Sequence, residues 1–227
     1  LAESWEVSSD GLTFTYKLNK NVKFHDGYPC TAKDVKFTYE MILNEAVNSP
    51  RRADFVDLLK PENIVVVDDY TVKFTLERID ASWLCCKDIY GILPEHILGK
   101  LTPEEFNAAA FNTSAPIGTG PFMFKEWVKD DHITLVKNPD YFKGAPAADA
   151  WSYKVVENET VAFAQLQTLE SDMTAISAAL WEEAQAQDHL ECRAYPRFGF
   201  TFYTYNLDPE KSPFFQDVRT RQALLYA

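Results

Sequence analysis

Leu12-Thr13-Phe14-Thr15-Tyr16-Lys17-Leu18 alternates apolar and polar residues in strict period two. Successive side chains of a strand point to opposite faces, so this run has one face to bury and one to wet. A shorter alternation, Val22-Lys23-Phe24, follows the turn-forming Asn19-Lys20-Asn21, and together they predict a β-hairpin or meander. His25-Asp26-Gly27 then reads as a turn, because Asp-Gly tolerates positive φ.

Helices and further strands come next. Thr31-Ala32-Lys33-Asp34 resembles a capping box, and Val35, Tyr39 and Ile42 recur at helical spacing, which predicts a helix from about Ala32 to Asn44. Asn63 to Val67, the turn Asp68-Asp69 and Thr71 to Leu76 form a second strand pair, with Val72, Phe74 and Leu76 on one face. Short helices are expected near Pro94 and at Thr102-Pro103-Glu104-Glu105, where Thr caps and Pro takes the first helical position. The first half is therefore α+β.

Asn112 to Pro121 (Asn-Thr-Ser-Ala-Pro-Ile-Gly-Thr-Gly-Pro) is polar and turn-rich, and the domain boundary is placed there, dividing the chain into 1–112 and 113–227. Beyond it, strands are predicted at His132 to Lys137, Ser152 to Val156, Asp172 to Ile176, Leu190 to Tyr195 and Gly199 to Asn206. Helices are predicted from about Thr160 to Glu170 and from Ser177. This alternation suggests an α/β sheet with helices on its faces.

Composition removes several functions. With 34 acidic and 22 basic side chains the formal charge is −12, which repels a phosphate backbone, so no nucleic acid partner is expected. The apolar run Ile64 to Val67 is four residues long, far short of the ~18 a membrane span needs. The aromatic share of 14% can build a core or line a pocket with flat faces and polar tips.

Reactive chemistry is not written in the spacing. The four cysteines (Cys30, Cys85, Cys86, Cys192) make no C-x-x-C and have no His at zinc distance, so neither a metal site nor a disulfide framework is expected, and adjacent Cys85 and Cys86 read as buried free thiols, the alternative being a strained vicinal disulfide. The four histidines (His25, His96, His132, His189) stand alone and read as surface or turn residues. Gly118-Thr119-Gly120 lacks the Lys-Ser/Thr of a phosphate loop and the third Gly of a dinucleotide fingerprint, and Pro121 removes a donor. No cofactor and no catalysis are expected.

The ends are suggestive. The chain opens at Leu1 with no initiator Met and no secretion signal, and its last residues, from Asp217, read as a helix opened by an Asp N-cap that is not closed. The expectation is a piece of a longer protein.

Five segments resemble one family. They are Leu1 to Phe14, Val22 to Gly27 with Thr31 to Thr38, Pro116 to Phe122, Asn138 to Phe142, and Pro213 to Leu224, in the family's order along the whole chain. The resemblance is to the extracellular solute-binding proteins of bacterial ABC importers, the peptide and nickel class called family 5. It implies part of a type II periplasmic-binding-protein clamshell. Residues 1–112 would be the accessory α+β domain and residues 113–227 part of the first lobe, with an N-terminal strand and the second lobe outside the chain. Two stretches depart from the family: Leu169-Glu170-Ser171-Asp172-Met173 lacks the Gly of the usual Ser-Gly-Glu-Ile-Asp turn, and Ser82 to Gly91 is short and carries the cysteine pair.

The implied function is capture of a short peptide, or another small solute, in a cleft between lobes and its delivery to an ABC permease in the membrane. Location would be periplasmic, or lipid-anchored on the outer face of the cytoplasmic membrane, and the full-length protein would be a monomer. A protein that accepts many peptides pairs with their backbone as an added strand and leaves hydrated pockets for their side chains. Gly199 to Asn206 fits, with Phe200, Phe202 and Thr204 on one face and Thr201, Tyr203 and Tyr205 on the other. By resemblance the strand's end borders the groove, so Tyr203, Tyr205 and Asn206 are the candidate ligand contacts; the other reading of the same residues is a core strand closed by an Asn turn. Gly118, Thr119 and Gly120 would lie where the chain crosses between domains. Two alternatives remain: the same fold holding a nickel chelate, haem or oligosaccharide, and a secreted hydrolase domain with aromatic subsites.

Overall fold

A computed structural model describes residues 1–87, 90–196, 199 and 202–226, and of residues 86 and 87 the backbone alone. It falls into two compact units, Leu1–Asn158 and Glu159–Ala227.

The first unit holds two antiparallel sheets. In the larger, β1 (Ala2–Val7), β2 (Thr13–Leu18), β3 (Ile64–Asp68) and β4 (Thr71–Thr75) run in the order β1-β2-β4-β3. The alternation of β2 works as expected: Phe14, Tyr16 and Leu18 are buried while Thr13, Thr15 and Lys17 are not. Register carries that face across the sheet, with Phe14 opposite Phe74, Tyr16 opposite Val72, and Ile64 and Val66 opposite Phe74 and Val72.

Helix α1 (Ala32–Leu43) covers this face with Val35, Tyr39 and Ile42. Its start is held by Asp34, whose carboxylate accepts from the Thr31 N–H at 2.8 Å and the Thr31 hydroxyl at 3.0 Å, as the sequence predicts. The same carboxylate accepts from the Glu95 N–H at 3.0 Å, at the first residue of α2 (Glu95–Leu98). One turn on, the Thr38 hydroxyl donates to the Asp34 carbonyl and accepts from the Leu93 N–H. Asp34 and Thr38 are buried polar groups, and each is satisfied, which is the condition for keeping them in a core. Phe55, Leu58, Leu59 and Trp83 close the core from the other side. The expected α3 (Pro103–Ala108) follows, with Thr102 as its cap.

Two sequence expectations are corrected in this unit. Val22 to Phe24 does not pair with β2, because both edges of β2 are taken by β1 and β4. Instead Lys23 bridges Pro29, and Val22 and Phe24 join Cys30 in a second buried cluster, against which Ile92, Ile117 and Phe142 pack. Cys85 is exposed, not buried, in a single π-helical turn Trp83–Lys87. Strands β1 and β5 (Phe122–Val128) carry no clean alternation, since β1 is exposed throughout and β5 has a register shift between Phe124 and Glu126.

The smaller sheet is an antiparallel meander of β5, β6 (His132–Lys137, as predicted) and β7 (Ala150–Lys154, two residues earlier than predicted). None of its residues is fully buried.

The second unit contains α4 (Glu159–Gln167), a 3-10 turn Ala178–Leu180 leading into α5 (Trp181–Gln185), and α6 (Val218–Tyr226) after a turn at Pro213–Gln216. Leu169 ends the α4 region with φ of 61°, within the stretch that departs from the family's Gly-containing turn. The strands predicted at 172–176, 190–195 and 199–206 are absent among the described residues; Phe200 and Thr201 lie outside them. A strand exists only against a partner, and the described part of this unit offers none.

Candidate functional site

The candidate ligand contacts lie in the second unit. Tyr203 is 71% exposed. Tyr205 is half-buried: its hydroxyl donates to the Arg221 carbonyl of α6 at 3.2 Å, and its ring lies 5.0 Å from that of Phe215. Asn206 forms a turn, its side-chain oxygen accepting from the Asp208 N–H at 3.0 Å. Gln216 donates to the Leu207 carbonyl at 2.8 Å, so this segment is stitched to the chain that opens α6. Asp217 begins that helix as expected, accepting from the Arg219 N–H at 2.9 Å. Of the three predicted contacts, Tyr203 is exposed, whereas Tyr205 is engaged in holding the segment against α6.

The predicted crossover lies in the first unit and is held by a residue that spacing did not reveal. The His25 N–H donates to the Gly118 carbonyl at 2.9 Å, and the Gly118 N–H donates back to His25 Nδ1 at 3.2 Å. On the far side of the ring, Nε2 lies 3.1 Å from the Gly120 carbonyl. Asn138 donates to the same carbonyl at 3.1 Å, and its own N–H donates to the Pro121 carbonyl. A Cβ at Gly118 would meet His25 Cε1 at 3.6 Å, an ordinary contact, and neither Gly118 nor Gly120 takes a left-handed φ. The crossover is thus fixed through its backbone, not through the absence of side chains. Ring contacts with backbone groups ninety residues away have no sequence signature.

The same turn reaches α2. His96 Nε2 lies 2.6 Å from Asp26 Oδ2, and the Tyr28 ring stacks on the imidazole at 4.0 Å. Partial burial raises the Asp26 carboxyl, but the His96 ring and the Tyr28 N–H together outweigh it and hold the group below the usual carboxylate range. His25 sits in a turn, as expected, and these rings have polar partners in the fold: His25 with Gly118 and Gly120, His96 with Asp26, and His132 with Asp131 at 2.9 Å. Burial, with the Asp34 charge second, pushes the Cys30 thiol up to about 12.

Among the described residues no group of three His, Cys, Asp or Glu could hold a metal ion. A shallow hollow of about 390 Å³ lies over β5 at Phe124, Trp127 and Lys129, and none of the predicted site residues lines it.

Over its whole length the chain is 36% identical to the oligopeptide-binding protein AppA of Bacillus subtilis, of which it spans 41%. The structure of that AppA in complex with a nonapeptide is similar with a TM-score of 0.78 at 36% identity, over 84% of this chain and 38% of that one. NikZ of Campylobacter jejuni in complex with Ni(L-His) is similar with a TM-score of 0.75 at 29% identity, over 83% of this chain and 36% of that one. The mixed α/β architecture is that of part of a type II periplasmic binding protein. A family model described as "Bacterial extracellular solute-binding proteins, family 5 Middle" matches residues 1–227, and the chain belongs to that family.

Proposed function

We propose that the protein carrying this chain is the solute-binding component of an ABC importer, that it captures short peptides, and that it hands them to a membrane permease. The single observation that carries the reading is the 36% identity to AppA along the whole chain. The chain spans about two-fifths of that relative, so the activity proposed is that of the longer protein. Physical form supports this: the β5-β6-β7 sheet has no fully buried residue, and the second unit buries only Phe163 and Ala184 among its described apolar side chains. Such elements hide their apolar faces against further chain.

In this reading Tyr203, Tyr205 and Asn206 border the groove, and the division near residue 112 separates an accessory domain from the first lobe. The task is binding, not turnover. The family is extracellular or periplasmic, and no helix among the described residues is long and apolar enough to cross a membrane. A periplasmic location, or a lipid anchor on the outer face of the cytoplasmic membrane, and a monomeric full-length protein complete the proposal.

The likeness to NikZ with Ni(L-His) favours a second reading, capture of a nickel chelate. Thermal shifts on the full-length protein separate the two. A ligand at 100 times its dissociation constant adds ~2.7 kcal/mol of stability. Peptides of two to nine residues are expected to raise the midpoint, and a rise with nickel and histidine alone would replace the peptide reading with the chelate.

A further inference from the structure

We propose that His25 is a positioning residue, whose imidazole accepts from the Gly118 N–H at Nδ1 and donates to the Gly120 carbonyl at Nε2, and so fixes the stretch that leads into β5 to the turn that carries His25. The inference rests on contacts within the chain and does not depend on which solute is bound.

The ring's two nitrogens are told apart by the backbone. An amide N–H can only donate, so the Gly118 N–H at 3.2 Å makes Nδ1 an acceptor with no proton of its own. The remaining proton of a neutral ring is then on Nε2, where the Gly120 carbonyl stands 3.1 Å away as acceptor. The His25 main chain adds the bond to the Gly118 carbonyl. Three bonds thus join one residue to a three-residue stretch, and β5 begins two residues later at Phe122.

Each flank of this joint is anchored independently. On the crossover side, Asn138 at the end of β6 binds the Gly120 and Pro121 carbonyls, and Ile117 packs on the cluster of Val22, Phe24 and Cys30. On the other side, Asp26 holds His96 on α2, whose first N–H is bound by Asp34 of α1. The imidazole therefore links two anchored bodies. A residue of similar bulk without both nitrogens would fill the space and lose the alignment.

Long-range proton–nitrogen spectra of histidine-labelled full-length protein at neutral pH read the tautomer directly. Nδ1 bare and Nε2 protonated is expected for His25; a ring protonated on Nδ1 overturns the proposal without any variant being made. Amide hydrogen exchange then tests the positioning. His25→Phe is expected to speed exchange at Gly118 and Asn138 by about threefold to tenfold, the worth of one or two lost hydrogen bonds. His25→Asn keeps an acceptor near the Nδ1 position and is expected to restore Gly118 protection. Amides of the β1-β2-β4-β3 sheet are expected to exchange unchanged in both. Equal acceleration in both sheets, or no difference between the Phe and Asn variants, would show that His25 only fills space.

Discussion

The Trp83 indole N–H donates to the Tyr16 hydroxyl at 2.8 Å, in the centre of the larger core, with the indole fully buried. The two residues are 67 apart in sequence, and the bond ties the π-helical turn to the central strand β2. Phe14, Tyr39, Phe55 and Phe74 surround the indole at ring separations of 5.4 to 6.3 Å. Trp83→Ala is expected to cost about 3–5 kcal/mol through the cavity it opens. Tyr16→Phe should cost ~1–3 kcal/mol, because it leaves the buried indole N–H without this acceptor. Urea unfolding of both variants measures the two values, and an order in which Tyr16→Phe costs more than Trp83→Ala would contradict the packing described.

Backbone conformation separates Gly27 from Gly118, which look alike in sequence, and singles out Leu169. Gly27 takes φ of 90°, so Gly27→Ala is expected to destabilise by about 1–2 kcal/mol. Gly118 has no such conformation and has room for a Cβ, so Gly118→Ala should stay within about 1 kcal/mol of the parent, in the stabilising direction through the unfolded chain. Leu169 is the reverse case, a branched side chain at φ of 61°, and Leu169→Gly is expected to gain roughly 1 kcal/mol. Thermal unfolding of the three variants ranks them.

Acid should loosen the turn that carries this joint. The Asp26 carboxyl lies below its ordinary value of 3.8, so its contribution to stability is complete above that value and is lost as pH falls through the lower, folded one. Asp26→Asn is expected to flatten that part of the stability profile below about pH 4, and to leave the profile above pH 5 parallel to the parent's. Denaturant midpoints measured from pH 2 to 7 test this, and an unchanged acid arm would mean that the contact with His96 adds nothing.

The cysteines should differ in reactivity. Cys30 is buried with its thiol pushed up to about 12, whereas Cys85 is exposed. Under reducing conditions at pH 8, alkylation followed by mass spectrometry is expected to label Cys85 at least tenfold faster than Cys30, since the thiolate is the nucleophile. Comparable rates would place Cys30 at the surface.

What the sequence reveals here follows from how local each interaction is. β2, α1, the β3-β4 pair and the caps at Thr31 and Thr102 depend on neighbours within a few residues or on one alternating face, and their bounds fall within a residue or two of expectation. Val22 to Phe24 fails because its pairing depends on which edges of β2 are free, a matter settled by β1 and β4. The segments at 172–176 and 190–195 have strand-like composition, yet a ladder needs a second chain segment beside them. At the candidate site, Tyr203 is exposed, while the engagement of Tyr205 with Arg221 and the contact of His25 with Gly118 are long-range contacts that no spacing encodes.

Titration calorimetry of the full-length protein with a defined peptide, against the same protein carrying Tyr203→Ala, tests the central claim most directly. One-to-one saturable binding is predicted, weakened by about tenfold in the variant, which corresponds to ~1.4 kcal/mol for one lost aromatic contact. Absence of any peptide heat, with saturation by nickel and histidine or with cleavage of the peptide during the titration, would contradict it.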